Sequence, residues 1–211
     1  AQHAGATLRE RTAVTDIDAT DSGYQLQTTR GIVKCQRVVN AAGGWADRIA
    51  AMLDVTLPVR PAPQQMLVTQ AVAARLPFLL SVAGRHLSMK QAANGNLIIG
   101  GGWPASFDAG RARSHTRRDS IAGNLWIAQR VYPIVRQLDL IRSWGAVGVM
   151  IDGAPIVGEL PDYPGFYNVV GANGYTMAPA LGLAIAELIM SGDAGMDLAP
   201  FDIARFAPAN A

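Results

Sequence analysis

The sequence predicts an α/β (α+β) fold, and three observations carry that expectation. Two segments, residues 38–45 and 169–175, each run from an apolar strand through a turn of small residues toward a helix. Short apolar stretches punctuated by turn residues recur from residue 6 to about 102, as strands do. Two further stretches, 116–131 and about 177–190, place their apolar residues at helical spacing. Half of the 211 residues are hydrophobic and only 16% are charged, which excludes a disordered chain.

The elements follow in order. The opening residues read like the end of a helix followed by a strand, and the first is Ala1 rather than Met; this predicts a further N-terminal segment in the protein. Val14 and Ile17 belong to one apolar segment, Tyr24 and Leu26 to the next, and Asp21-Ser22-Gly23 turns the chain between them. Ile32 and Val33 follow Gly31. Val38, Val39 and Asn40 then lead into Ala41-Ala42-Gly43-Gly44, where a buried strand ends in residues small enough for a ligand to approach the backbone. Ala46, Ile49, Ala50 and Leu53 share a face and predict a short helix over 45–53. Pro58, Pro61 and Pro63 exclude helix beyond it, and 65–69 reads as a strand. A hairpin is predicted over 85–90, then an Asn94-Gly95 turn and a strand at Leu97-Ile98-Ile99. Ile121, Leu125, Ala128 and Val131 mark the helix that Pro133 ends. Strands are predicted over 138–149 and 165–170. The last helix, with Met177, Leu181, Ile185 and Leu188 in register, stops at Gly192. This order predicts two interleaved domains, 1–60 with 145–211, and 61–144 inserted between them.

Charge and special residues narrow the function classes. The net charge is +2 without a long basic run. The densest positive cluster, Arg111, Arg113, Arg117 and Arg118 around His115, reads as a solvated loop and helix start rather than a nucleic-acid patch. Cys35 is the one cysteine, so no intrachain disulfide forms, and a cytoplasmic setting is expected. No apolar run reaches the roughly 18 residues of a membrane span. His3, His86 and His115 lack ligand-like spacing, so no metal is expected. The two strand–turn–helix segments gather free backbone N–H groups and the positive end of a helix dipole, which suit an anion, a phosphate or an electron-rich carbonyl. Tight packing without a ligand explains either segment equally well.

Three blocks carry a family resemblance. The run VVNAAGGWADRIA is one. The stretch from Trp144 to Ile189, with an Asp-Gly-x-Pro-x-x-Gly core at 152–158, is the second. The third closes the chain from Asp197 through Arg205-Phe206. Together they resemble the glycine oxidase, sarcosine oxidase and D-amino-acid dehydrogenase superfamily of flavoenzymes. The resemblance implies a partial FAD-binding domain with a mixed β-sheet substrate domain. It implies non-covalent FAD, with Val14 near its adenine end and Ala42, Gly43 and Trp45 near its phosphate and ribose. Gly171, Ala172, Asn173, Gly174, Tyr175, Thr176 and Met177 would lie beneath the flavin ring. The implied reaction is oxidation of a small amino acid or amine to an imine by hydride transfer to flavin N5, so no acid–base triad is required and none is nominated. On the inserted domain Lys90, with Arg85 and His86, is a candidate contact for an anionic substrate, and Met150 and Trp144 are candidate apolar walls; outer-face or core packing explains these residues as well.

Departures from the family are equally informative. Nothing matches its N-terminal G-x-G-x-x-G turn; Gly100-Gly101-Gly102 is not followed by the required helix. The chain by itself is therefore expected to bind FAD weakly or not at all. Either a partner chain supplies the nucleotide loop, or the chain is a non-catalytic module or fragment that self-associates through exposed sheet edges. The Arg, Lys and Cys that some members use for carboxylate binding, oxygen reactivity and covalent flavin have no counterparts here, which leaves oxidase and dehydrogenase both open.

Overall fold

A computed structural model describes residues 1–73 and 75–206. They form two compact units, Ala1–Arg60 with Val149–Ala211, and Pro61–Gly148.

The first unit opens with a 3-10 turn, Gln2–Ala4, closed by Gly5 in the left-handed region. Strand does not begin at residue 6 as expected but at Val14, where Thr29 and the strand that precedes it provide a partner. Strands β1 (Val14–Thr20), β2 (Gly23–Thr28) and β3 (Gly31–Cys35) form an antiparallel meander. Its first turn falls at Asp21-Ser22. Gly23 is required there, because it has φ +132° and a Cβ would collide with the Cys35 carbonyl. Ile17 and Tyr24 turn inward onto Val38, Leu53, Leu160 and Phe166. Phe166 is fully buried, worth roughly 1.5–3 kcal/mol in removed apolar surface. Tyr24 meets it edge-on at 5.9 Å and donates its hydroxyl to the Pro164 carbonyl at 2.9 Å.

The second sheet of this unit carries the two strand–turn–helix segments. Strand β4 (Val38–Asn40) runs into a 3-10 turn (Gly43–Trp45), helix α1 (Ala46–Ala50) and a second 3-10 turn (Ala51–Leu53). The helix predicted over 45–53 is thus mostly tight turn, and Asp54 ends it in the left-handed region at φ 57°. From the far end of the sequence come β12 (Ile156–Leu160), β13 (Tyr163–Val170) and α3 (Gly174–Ser191), with the sheet order β12-β13-β4. The β12–β13 pair is antiparallel, whereas β13 and β4 are parallel, with Phe166 opposite Val38 and Asn168 opposite Asn40. Helix α3 packs through Leu181 and Ile185 onto Val157 and Tyr167, and its Ala184 is buried. It begins three residues before the predicted start at Met177. Pro179 lies inside the helix, in its second turn, and removes the bond to the Tyr175 carbonyl. By length and composition alone α3 reaches membrane-span dimensions, at 18 residues and mean hydropathy 1.3. That is a measure of length and composition only, and no clear membrane span is shown among the described residues.

The second unit is built on the five-stranded sheet β11-β5-β8-β7-β6. Its strands are β5 (Arg60–Ala71), β6 (Leu80–Ser81), β7 (Ser88–Gln91), β8 (Asn96–Gly100) and β11 (Leu140–Met150). A small hairpin of β9 (Ser106–Asp108) and β10 (Arg113–His115) precedes helix α2 (Arg118–Val131). Strand β5 is longer than the predicted 65–69, because Pro61 and Pro63 share one edge beyond the stretch paired with β8. One face of the sheet packs Leu67, Met89, Leu97 and Ile99 beneath Ala128 of α2 and Val135. The other face carries the alternate residues, where Lys90, Ile98 and Val68 align across three strands. Gly101 has φ +116°, and a Cβ there would sit 2.5 Å from the Leu87 backbone; this glycine serves strand packing.

Candidate functional site

The parallel register of β4 and β13 sends both strands out of the sheet at the same end. The turn after Asn40 and the turn after Val170 therefore emerge side by side. In an open α/β sheet, the crevice beyond the carboxyl ends of neighbouring parallel strands is where ligands bind.

Both strand ends share one pattern, Asn-x-x-Gly, at Asn40 to Gly43 and Asn168 to Gly171. The two asparagines are buried opposite each other. Asn40 Nδ2 donates to Asn168 Oδ1 at 3.0 Å and to the Ala46 carbonyl at 2.9 Å, and Asn40 Oδ1 accepts the Ala42 amide at 3.3 Å. One side chain thus fixes β4, the 41–45 turn and α1 to β13. Asn168 Nδ2 is buried with no partner among the described residues. Neither asparagine was nominated from sequence, although the repeated spacing was visible there.

At the second turn Thr176 and Met177 donate to the Asn173 carbonyl at 3.1 and 3.0 Å. The amides of Gly174 and Tyr175 then stand at the head of α3 without intrahelical partners. Asn173 makes no side-chain cap, and no acidic residue lies in the first turn. A Cβ on Gly174 would meet nothing within 4 Å, and Tyr175 is fully exposed. The head of α3 is therefore open, electropositive and uncapped, and its donor set fits an anion or an electron-rich carbonyl such as the flavin's pyrimidine edge. Gly171 is held close to the preceding bend: a Cβ there would lie 3.0 Å from Pro155 Cβ. That bend is fastened by Asp152, whose carboxylate takes a two-pronged bond from Arg205 (Nε to Oδ2 at 2.9 Å, Nη2 to Oδ1 at 3.0 Å). Arg205 holds the Asp152 carboxyl down at about 2.

The remaining nominated residues fall as follows. Ala42, Gly43 and Trp45 are half-buried in the first turn. Val14 is the first residue of β1, on the other sheet of the same unit. Lys90 is exposed on the open face of the second unit's sheet, and Met150, 56% exposed, ends β11. Trp144 is 38% exposed on β11. Arg85 and His86 do not share Lys90's strand, as the predicted hairpin had it: β7 begins only at Ser88, and they form the turn before it. There His86 Nδ1 meets the Gly101 carbonyl at 3.2 Å and the His86 carbonyl accepts the Trp103 indole, so this histidine is engaged in turn structure. In the basic cluster Arg111 pairs with Asp108 and Arg117 with Asp119. Burial raises the Cys35 thiol pKa, which lowers its thiolate fraction. Among the described residues no three His, Cys, Asp or Glu side chains gather as metal ligands would. A cavity of about 400 Å³ lined by Val55, Pro58, Leu160, Tyr163 and Phe206 opens at the start of β13, the end away from both turns.

Comparison with known proteins bears on this site. Residues 1–188 match the family described as FAD dependent oxidoreductase. Glycine oxidase of Geobacillus kaustophilus (strain HTA426) is 31% identical over 97% of this chain and 54% of its own length. An opine oxidase subunit of Agrobacterium tumefaciens (strain Ach5) is 30% identical over 96% of this chain and 52% of its own. The crystal structure of L-proline dehydrogenase from P. horikoshii superposes with a TM-score of 0.87 at 26% identity, covering 97% of this chain and 56% of that one. The chain spans about half the length of the relatives it matches.

Proposed function

Because the chain belongs to the FAD dependent oxidoreductase family, we propose that it forms part of an enzyme that oxidises an amino acid or secondary amine to an imine. The observation that supports this reading best is the pair of Asn-x-x-Gly strand ends brought side by side beneath an uncapped helix head. In this reading the head of α3, residues 171–177, faces the flavin ring, and its dipole stabilises negative charge there. Ala42, Gly43 and Trp45 hold the phosphate and ribose region, and Val14 meets the adenine end through its backbone. When bound, FAD supplies the hydride acceptor, flavin N5. Lys90, on the open sheet face beside Ile98 and Val68, orients an anionic group of the substrate, and Met150 lines an apolar wall.

A second reading is favoured by the lack of a G-x-G-x-x-G turn in this sequence and by a relative that is itself one subunit of an oxidase. In it the chain is a subunit or portion whose nucleotide loop is supplied by another segment, and it holds FAD only in that company. One experiment addresses both. FAD is titrated into the purified chain and into the chain joined to a nucleotide-loop segment, with visible absorption as the readout. Candidate amines are then added without oxygen. Flavin bleaching by amines but not by the matching alcohols supports amine oxidation. A loop-complemented protein that binds FAD and is bleached by no amino acid or amine refutes it.

A further inference from the structure

We propose that Arg205 is a positioning residue for the 171–177 turn, acting through the 152–155 bend. The inference rests on the reading that this turn faces the flavin, and it adds a part that neither the sequence nor that reading assigns.

Four contacts converge on one guanidinium. Nε and Nη2 grip both oxygens of Asp152, Nη2 also donates to the Ala154 carbonyl at 3.2 Å, and Nη1 donates to the Asp202 carbonyl at 3.1 Å. The Arg205 side chain is only 18% exposed, so its freedom is already spent on this geometry. The Ala154 amide donates to Asp152 Oδ1 at 3.2 Å, which closes the bend on itself. Phe206 stacks on the guanidinium at 4.3 Å. Ile203 and Phe206 pack from below against the cluster that contains Ile156 and Val170. The 3-10 turn Ile203–Phe206 thus pins the bend from one side and supports the strands leading to both ends of the site from the other.

What the clamp transmits is steric. Pro155, the residue after the clamped carbonyl, stands so close to Gly171 that a Cβ at 171 would lie only 3.0 Å from its Cβ. Gly171 is the first residue past β13 and begins the turn whose Asn173 carbonyl anchors the Thr176 and Met177 amides. A bidentate, charge-assisted pair fixes distance and angle together, which a lysine in the same place does not reproduce. With the clamp released, the bend relaxes away from Gly171, and the first turn of α3 loses its backstop.

Backbone hydrogen exchange on this chain tests the proposal without bound cofactor. The probes are the Ala154 amide at the bend and the Thr176 and Met177 amides at the head of α3, with the β1–β2 hairpin of the same unit as reference. In Arg205→Ala all three probe amides should exchange roughly tenfold faster, the order expected when a charge-assisted pair is lost, while the hairpin is unchanged. Asp152→Asn should reproduce the effect, and Arg205→Lys should restore only part of the protection. Faster exchange at Ala154 alone, with Thr176 and Met177 unmoved, overturns the proposal and leaves Arg205 as a fastening for the Ile203–Phe206 turn. A uniform rise that includes the hairpin also overturns it. Saturating FAD decides the underlying reading separately. If the wild-type Thr176 and Met177 amides gain no protection in loop-complemented, flavin-loaded protein, the flavin assignment of the turn falls while the clamp stands.

Discussion

Two glycines three residues apart should respond oppositely to the same added methyl group. At Gly171 a Cβ would lie 3.0 Å from Pro155 Cβ and 3.7 Å from its Cα. Apolar carbons prefer about 3.5–4.0 Å, so Pro155 or the turn must give by a few tenths of an ångström. Pro155 cannot easily yield, because the preceding carbonyl and Asp152 are held by Arg205. Gly171 has no positive φ, so the penalty for Gly171→Ala is packing alone, about 1–3 kcal/mol. Gly174 heads α3 with nothing within 4 Å of its would-be Cβ and also has no positive φ. Gly174→Ala should stabilise by about 0.4–1 kcal/mol through the unfolded chain and helix propensity. The two variants should therefore differ by at least about 1.5 kcal/mol, or roughly 3 °C or more in melting temperature for a chain of this size. Urea unfolding followed by circular dichroism measures both midpoints. Equal midpoints, or Gly174→Ala the weaker of the two, would refute the account of a closed first position and an open fourth one.

Further outcomes follow from the same geometry. Asn40→Ala removes three hydrogen bonds and leaves the buried Asn168 Oδ1 without its donor, so it should destabilise by about 2–3 kcal/mol; adding Asn168→Ala should cost less than the sum of the single changes, as a double-mutant cycle in urea will show. The Asp152 carboxyl lies at about 2 in the folded protein against an ordinary 3.8, chiefly through its hydrogen bonds from Arg205. Its depressed folded value means that the pair's contribution is complete above about pH 4 and is lost as pH falls through about 2; wild type and Asp152→Asn should converge in stability across that window, and parallel curves would disprove the pairing. Gly123→Ala, in the middle of α2, gains about 1 kcal/mol of helix propensity but drives a methyl group into the Trp103 ring and threatens its bond to the His86 carbonyl; net destabilisation with altered tryptophan fluorescence is expected.

The parts of the fold legible in the sequence are those written in local chemistry. The Asp21-Ser22-Gly23 turn, the small-residue run after Asn40 and the glycine stop at Gly192 all lie where their residue types require. Periodicity found α2 and the body of α3. The head of α3 was hidden because Gly174, Tyr175 and Thr176 have no apolar pattern and Pro179 looks like a helix breaker. Pro61 and Pro63 shortened β5 in the same way, since the sequence does not say which strand edge they occupy. Relations between distant residues were out of reach. Asn40 and Asn168 carry a repeated spacing that hints at equivalence, but only the parallel register shows that they touch. Asp152 was legible only as the first residue of the Asp-Gly-x-Pro-x-x-Gly core, and its partner lies 53 residues onward.

The register of β4 with β13 also fixes an order of assembly. Asn40 and Asn168 stand 128 positions apart, and all of Pro61–Gly148 intervenes. At roughly 5–20 residues per second, a ribosome delivers the partner of β4 about 6–25 s after β4 itself. The inserted unit is one continuous stretch whose pairings need nothing from later in the chain, so it can collapse within that interval. Its collapse draws the two flanks together and lowers the entropy of closing them, which grows only logarithmically with loop length. The Asn-x-x-Gly pair can then form only after the inserted unit has been made, and the two turns acquire their shared geometry no earlier than that.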